Sequence, residues 1–232
     1  MGKPSKRYRA LTEQVDHDRL YPIGEAVKLV KGTATAKFDE TVEAHIRLGV
    51  NIGRGEENVR GTLTLPHGTG KVPRVAVFAK GDAARQAEEA GADRVGAEDL
   101  VEAIENGWDE FDILVAAPDV MRIVGRLGKK LGPRMPSKKA GNITTEVGDA
   151  VRELKQGKVE FKMDKTGILH VAIGKASFEP EQIEDNLRAL LAAVLRARPA
   201  AAKGRYIVTV ALSSTMGPGV KLDLQDALAI AA

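Results

Sequence analysis

The sequence predicts two domains, an α/β domain inserted into an α+β domain, on three observations. Hydrophobic and polar residues alternate along 41–50 and 159–173, which indicates antiparallel strands with one solvated face. Short apolar runs alternate with helical patterns along 74–127, which indicates a small parallel, Rossmann-like sheet. A segment with proline and two glycines near residues 66–70, and Gly157 near residues 157–159, separate the two patterns.

The predicted outer domain is discontinuous and contains residues 1–66 and 159–232. It is expected to hold an antiparallel sheet with helices, whereas residues 67–158 form the inserted α/β domain. Two chain crossings between domains are typical of a hinge. The residues predicted to form this hinge are Pro66, His67, Gly68 and Gly157.

The first part of the outer domain is predicted as a helix followed by two strands. The helix begins at Tyr21-Pro22 and ends at Lys31-Gly32, since proline is favoured at a helix start. Residues 41–50 form a half-buried strand, and residues 59–65 form a second one. The glycine-containing turn at 51–57 is expected to join the two strands as a hairpin.

In the insert, apolar runs and helical patterns alternate. Strands are predicted at 74–78, 95–96 and 111–116, and helices at 82–90, 97–104, 118–127 and 146–155. Residues 121–145 contain seven basic side chains and no acidic one. Because this segment also contains glycines and prolines, we predict that much of it is a basic loop able to follow a phosphate backbone.

The last part of the chain returns to the outer domain. Asp164-Lys165-Thr166-Gly167 is a strong turn signal and predicts a hairpin between the strands at 159–163 and 168–173. A long helix starts at Pro180 and is stopped by Pro199. A final strand, 206–212, leads into a run of hydroxyl side chains.

Composition excludes several classes of protein. The chain has 232 residues, 43% hydrophobic, with a net charge of +3, no cysteine and no apolar run long enough for a membrane helix. Disulfides and thiolate metal sites are therefore excluded, and we expect a soluble cytoplasmic protein without a membrane partner. The mild basicity permits a nucleic-acid partner without requiring one.

No catalytic or cofactor site is evident. The four histidines have no metal-ligand spacing, so we predict neither a metal nor a cofactor. Gly68-Thr69-Gly70-Lys71 resembles a phosphate-binding loop, but Val72 stands where a serine or threonine is required. Two alternatives stay open at this point, a nucleotide-dependent enzyme that uses the α/β insert and a protein-interaction module without RNA.

Two distant segments, 37–41 and 213–219, combine hydroxyl groups, glycines and one large apolar side chain each. Such segments suit the recognition of folded RNA, because hydroxyls bind ribose and phosphate while Met216 packs on a sugar or base. We predict that the two segments meet in space and form one recognition surface. The structural alternatives to RNA recognition are a tight turn with Met216 in the core, and a core position for Phe38.

Longer motifs carry a resemblance to a known family. The segments in question are 36–43, 58–62, 65–71, 90–93, 131–134, 164–167 and 214–218. In this order they resemble the bacterial L-one family of large-subunit ribosomal proteins, nearly from end to end. The resemblance implies the two-domain fold with its insertion, no enzymatic activity, and binding of a stem and internal loop of large-subunit ribosomal RNA by the outer domain.

The same resemblance implies further partners and a set of site residues. Proteins of this kind form a mobile stalk beside the ribosomal exit site, contact exit-site tRNA, and repress their own messenger RNA by binding its leader. The implied RNA-binding residues are Lys37, Phe38, Thr41, Glu43, Asp164, Lys165, Thr166, Gly167, His170, Lys175, Ser214, Thr215, Met216 and Gly217.

Overall fold

A computed structural model describes residues 4–51 and 58–231, apart from the side chains of residues 139, 230 and 231. The chain divides into two compact units. Unit 1 contains Met1–Gly70 and Val159–Ala232, and unit 2 contains Lys71–Lys158. In the described residues, no helix combines the length and the apolar character needed to span a bilayer.

The elements follow one another along both units. The α-helices are α1 (Lys6–Thr12), α2 (Ile23–Thr33), α3 (Asp82–Glu89), α4 (Glu98–Glu105), α5 (Met121–Val124), α6 (Gly128–Leu131), α7 (Val147–Lys155), α8 (Pro180–Arg196) and α9 (Leu224–Ala231). The strands are β1 (Thr41–Leu48), β2 (Arg60–Thr64), β3 (Val75–Phe78), β4 (Arg94–Gly96), β5 (Ile113–Ala116), β6 (Lys158–Lys162), β7 (Ile168–Lys175), β8 (Ile207–Ser214) and β9 (Val220–Lys221). The sequence did not predict α1, β9 or α9.

The main sheet of unit 1 has the order β7-β1-β8-β9, and each of its ladders is antiparallel. Along β1, every second side chain is buried, as the alternation predicts. Ile46, Leu169 and Leu212 belong to this inward set and pack in one core with apolar residues of α2 and α8. The opposite face of the sheet carries the polar residues of the alternation.

The predicted hairpin between β1 and β2 is wrong. β1 is paired on one side with β7 and on the other with β8, so neither of its edges is left for β2. Instead β2 pairs with β6 in a separate two-stranded sheet. Residues 52–57 of the predicted turn lie outside the described residues.

The turn at Asp164–Gly167 forms as predicted, but its two strands diverge. A single bridge between Met163 and Leu169 joins them, after which β6 pairs with β2 and β7 pairs with β1. The Asp164 side chain accepts hydrogen bonds from the Thr166 and Ile168 N–H groups, both at 2.8 Å. The turn is therefore fixed by its own side chain and needs no long ladder behind it.

Unit 2 contains a parallel sheet of order β4-β3-β5 with helices, so the predicted combination of an antiparallel α+β part and a small α/β part is confirmed. The predicted helix at 118–127 is instead a series of short helical pieces. Glycines at 125, 128 and 132 begin new pieces. These short helical pieces also cover much of the segment predicted as a basic loop. Several of its basic residues therefore lie in short helical turns.

The segment before the crossing into unit 2 is fastened to α8 by Asn186, which is fully buried. Its amide group donates to the Gly68 carbonyl at 2.9 Å and to the Ile173 carbonyl at 2.8 Å, and its oxygen accepts from the His67 N–H at 3.0 Å. Pro66, His67 and Gly68 therefore lie within unit 1, whereas Gly157 ends unit 2. Whether these crossings act as a hinge stays a prediction.

We expect Asn186→Leu to lower the free energy of unfolding by about 3 kcal/mol, because two carbonyl oxygens and one N–H lose their buried partner. Urea unfolding followed by circular dichroism measures this change. The matched control is Asp185→Ala, which removes the exposed contact with the His67 ring and should cost no more than about 1 kcal/mol. Equal losses in the two variants would contradict the role assigned to the Asn186 amide.

Candidate nucleic-acid interface

The two segments singled out in the sequence meet at one end of the main sheet. Val42 near the start of β1 lies opposite Ser214 at the end of β8. The Thr41 N–H donates to the Thr215 hydroxyl oxygen at 2.9 Å, and that hydroxyl donates back to the Thr41 carbonyl at 3.3 Å. The predicted convergence of the segments is therefore confirmed, although it does not by itself show what they bind.

A buried carboxylate joins the two segments. Glu40 is only 1% exposed. It accepts from the Ala36 N–H at 2.8 Å, the Ser214 hydroxyl at 2.8 Å and the Met216 N–H at 2.9 Å. Burial alone would raise the pKa of Glu40, but these hydrogen bonds and the positive charge of Arg7 together hold that pKa below its ordinary value. The ionised carboxylate thus holds both loops in place.

Two large apolar side chains stand in solvent beside this junction. Phe38 is 56% exposed and Met216 is 46% exposed. The alternatives that placed Phe38 and Met216 in the core are therefore wrong. Because Glu40 binds the backbone of Ala36 and Met216, it fixes the loops that present both side chains.

The loop that carries Phe38 has two further supports on β7 and just beyond it. The Lys175 ammonium donates to the Thr41 hydroxyl at 2.9 Å. The Asp39 carboxylate accepts from the Ser177 N–H at 3.1 Å and from its hydroxyl at 2.8 Å. Lys37 is exposed. The loop is thus anchored before any ligand arrives, and Lys175 acts first as an internal support.

Glycine is required at position 217 for a steric reason. A Cβ atom there would lie 2.5 Å from the Ser214 hydroxyl oxygen and 3.3 Å from that of Thr33. A side chain would therefore displace the hydroxyl that donates to Glu40. Gly217 thus supports the junction from behind, and the RNA contact that the resemblance implies for it stays a prediction.

The second group of predicted residues lies at the opposite end of β7. Lys165 and Thr166 are exposed at the Asp164 turn, and Gly167 is buried with a φ of 81°. Hydrogen bonds from the Ile168 N–H and the Thr166 hydroxyl lower the pKa of Asp164 to about 2. The Asp164 carboxylate is therefore ionised at neutral pH.

Polar side chains connect the two ends across the open face of the sheet. The eight residues of β7 separate the Asp164 turn from Lys175 by roughly 20–25 Å of strand. His45 lies between them, with one ring nitrogen 2.9 Å from the Ser213 hydroxyl and the other 2.8 Å from the His170 ring. Burial lowers the pKa of His45, and the neighbouring His170 lowers it further while Glu43 opposes the shift. The two groups of predicted residues thus lie at the two ends of one face of the sheet.

The predicted residues therefore divide into presenting and supporting ones. Phe38, Thr215 and Met216 are exposed, whereas Ser214 and Gly167 are buried and support the backbone. The implied set of RNA-binding residues omits four residues that position or extend the surface: Glu40, Asp39, His45 and Ser213. His45 and Ser213 occupy outward positions of the alternating pattern, which is the signal that could have identified them.

Comparison with known proteins decides the family. Residues 30–218 match the profile of the ribosomal protein L1p/L10e family. The chain is also 50% identical over 228 residues to the large ribosomal subunit protein uL1 of Protochlamydia amoebophila, and the match covers 97% of each chain. The chain belongs to the ribosomal protein L1p/L10e family. The resemblance found in the sequence motifs is confirmed.

The match to the L1p/L10e family covers every residue of the candidate surface, from Lys37 to Gly217. It includes Glu40 and both loops that Glu40 joins. Among the described residues, no cluster of three or more histidine, cysteine or acidic side chains has the geometry to hold a metal ion. The surface is therefore described by its hydroxyls, its two exposed apolar side chains and its charges.

We expect Glu40→Gln to lower the free energy of unfolding by about 2 kcal/mol at neutral pH, because an amide NH₂ replaces an oxygen that accepts from N–H or O–H donors. The folded-state pKa of Glu40 is lowered, so its stabilisation is complete above the ordinary value of 4.5 and is lost as the pH falls through the lower folded value. The difference between wild type and variant should therefore shrink below pH 4.5.

Urea unfolding at a series of pH values measures this difference. Glu43→Gln, on the same strand but on the open face, is the matched control and should change stability little at any of these pH values. A difference between wild type and Glu40→Gln that stays constant into strong acid would contradict the role of the ionised carboxylate.

Proposed function

We propose that this protein is a non-enzymatic constituent of the large ribosomal subunit that binds large-subunit ribosomal RNA through the open end of unit 1. One observation carries the proposal: Phe38 and Met216 are both exposed on loops that a buried carboxylate holds together. Soluble proteins expose large apolar side chains singly without consequence, but two on one rigid, polar platform are typical of a binding surface. Membership of the L1p/L10e family supports ribosomal RNA as the ligand.

The chemistry of the surface favours folded RNA over duplex DNA. Thr215 and Thr41 present hydroxyl oxygens, and Phe38 offers a ring on which an unstacked base can lie. The carboxylates of Glu43 and Asp164 repel phosphates but accept hydrogen bonds from 2′-hydroxyls and guanine amines. Such a surface reads the shape and the sugar edge of RNA rather than neutralising its backbone.

The finer functions are proposals as well. In the ribosome, in the cytoplasm, the protein would form the mobile stalk beside the exit site and contact exit-site tRNA as it leaves. It would also bind the leader of its own messenger RNA and repress translation. The chain crossings at Gly70/Lys71 and Lys158/Val159 would then allow the stalk to move while unit 1 keeps its grip on ribosomal RNA.

The rival functions have less support. A nucleotide-dependent enzyme needs a phosphate-binding loop, but Gly68 and His67 are bonded to Asn186 within unit 1. A protein-interaction module without RNA leaves the hydroxyl-rich platform unexplained. We therefore propose the absence of enzymatic activity together with RNA binding.

We expect Phe38→Ala and Met216→Ala each to weaken binding of a stem and internal-loop RNA about tenfold, because stacking or packing on a base or sugar is worth about 1–3 kcal/mol. Both side chains lie outside the core, so melting temperatures should stay unchanged. Filter binding at several salt concentrations, with random RNA as competitor, measures the specific part.

Leu20→Ala is the matched control, because Leu20 is equally exposed on unit 1 at 56% but lies outside the proposed surface. It should leave RNA affinity unchanged. The double variant Lys138→Ala and Lys139→Ala in unit 2 should also have little effect on this RNA. An equal loss in the control and in the Phe38 and Met216 variants would refute the proposed surface.

Self-repression makes a separate prediction about competition. If the messenger leader mimics the ribosomal site, the two RNAs should displace each other from the same surface, and Met216→Ala should weaken both by a similar factor. A gel-shift competition between the two labelled RNAs measures this. Simultaneous binding of both RNAs to one chain would contradict mimicry but would leave ribosomal RNA binding intact.

A further inference from the structure

Unit 2 contains an open pocket of about 400 Å³ that is lined by its own residues. It lies beside the end of α4 and is lined by Trp108, Phe111, Lys130, Arg134 and Asp109, among others. The volume falls in the range of about 300–1,000 Å³ that is common for small-ligand sites. The lining combines aromatic rings, two cations and one acid.

The aromatic side chains form a stack with arginines at both ends. The Arg94 guanidinium lies 4.4 Å from the centre of the Trp108 ring system. Trp108 and Phe111 lie 5.4 Å apart, and the Arg134 guanidinium lies 5.7 Å from the Phe111 ring. The stack holds both guanidinium groups in fixed positions beside flat rings.

The edges of these guanidinium groups are available for a ligand. Within the part of the chain that the structure describes, neither the Arg94 nor the Arg134 side chain forms a hydrogen bond or an ion pair, and both are exposed. An arginine stacked through its face still presents five N–H donors along its edge, in a geometry that matches phosphate. If the two rings served only to cover the edge of the hydrophobic core, they would not need two guanidinium groups beside them whose N–H donors are unused.

Besides Arg134, the pocket lining contains a second cation, Lys130. The Lys130 ammonium donates to the Glu105 carbonyl at the end of α4, at 2.6 Å, and keeps further N–H donors. Asp109 is exposed and brings the one carboxylate of the lining. Two cations with one acid favour a ligand that is anionic at one end and has a hydrogen-bond donor elsewhere.

The position of the pocket distinguishes it from the usual nucleotide site of an α/β fold. Trp108 and Phe111 precede β5, and Arg94 begins β4, so the stack lies at the amino ends of the parallel strands. Cofactors of such folds bind at the carboxyl ends. The position of the pocket therefore does not suit a resident cofactor. It suits a nucleotide that is part of a larger molecule better.

We propose that this pocket binds one unpaired nucleotide of an RNA chain. Its phosphate would accept hydrogen bonds from Arg134 and Lys130, and its base would lie against Trp108, while Asp109 accepts from a base amine or a ribose hydroxyl. This inference extends the proposed RNA binding to unit 2 and gives that unit a contact of its own.

The chain offers a direct probe, because Trp108 is its single tryptophan. We expect adenosine monophosphate, titrated into the full chain, to quench Trp108 fluorescence to saturation. Adenosine and inorganic phosphate should each bind at least about tenfold more weakly, since each lacks half of the contacts. An unstructured RNA of about six nucleotides should bind more tightly than the mononucleotide.

Two variants test the residues. Arg134→Met keeps an alkyl side chain beside Phe111 but removes the N–H donors of the guanidinium group. It should weaken the binding of adenosine monophosphate about tenfold. Arg126→Met, in the same basic segment but outside the pocket lining, should have no effect. The ligand series in wild type needs no variant to fold, so it decides the proposal even if Arg134→Met is unstable.

Two outcomes of the ligand series would overturn the proposal. Equal affinity for phosphate and for adenosine monophosphate would show an anion site without base recognition, and tighter binding of an acidic peptide would show a protein-docking site. Loss of stem and internal-loop binding in every assay, with the Trp108 response intact, would refute the proposed function and leave this inference standing. An unresponsive Trp108, together with normal binding of the stem and internal-loop RNA by unit 1, would refute this inference and leave the proposed function standing.

Discussion

The proposed surface depends on one buried carboxylate. Glu40 and Ser214 are 174 residues apart in the chain, yet their side chains are bonded in the core of unit 1. A buried charge is tolerated only where the protein replaces the lost water, and here an N–H from each loop and one hydroxyl do so. Separating the loops would break the hydrogen bonds that satisfy this buried charge, and this constraint joins two distant segments into one platform.

Rigidity matters because of what the platform presents. Ordering a loop and its side chains on binding costs free energy, and a loop that is ordered beforehand avoids that cost. Glu40 fixes the backbone on both sides of the sheet end, and the Asp39–Ser177 contact fixes the loop that carries Phe38. The backbone of this surface is thus already in its binding position. Only the exposed side chains of Phe38 and Met216 would still have to be ordered when a ligand binds.

Local patterns predicted most of the elements, while pairing between distant segments was harder to read. The β1–β2 hairpin failed because β7 and β8 occupy both edges of β1, a fact that no nearby residue encodes. Glu40, in contrast, could have been found. Side chains alternate between the two faces of a strand, so Glu40, two residues before the inward Val42, also faces inward. The same alternation places Ser214 inward at the end of β8. Two polar residues at inward positions predict a buried polar contact.

The two units offer RNA different chemistry. The surface of unit 1 combines hydroxyls and carboxylates with two apolar side chains, so its affinity should come from shape and sugar contacts and depend weakly on salt. The pocket of unit 2 holds cations on an aromatic stack, which favours phosphate and base together and depends on salt more strongly. The proposed surface contains three lysines, Lys37, Lys165 and Lys175, and Lys175 is already hydrogen-bonded to Thr41, so few counterions should be released there. In the two proposals together, specific recognition and electrostatic attraction would be carried by separate parts of the chain.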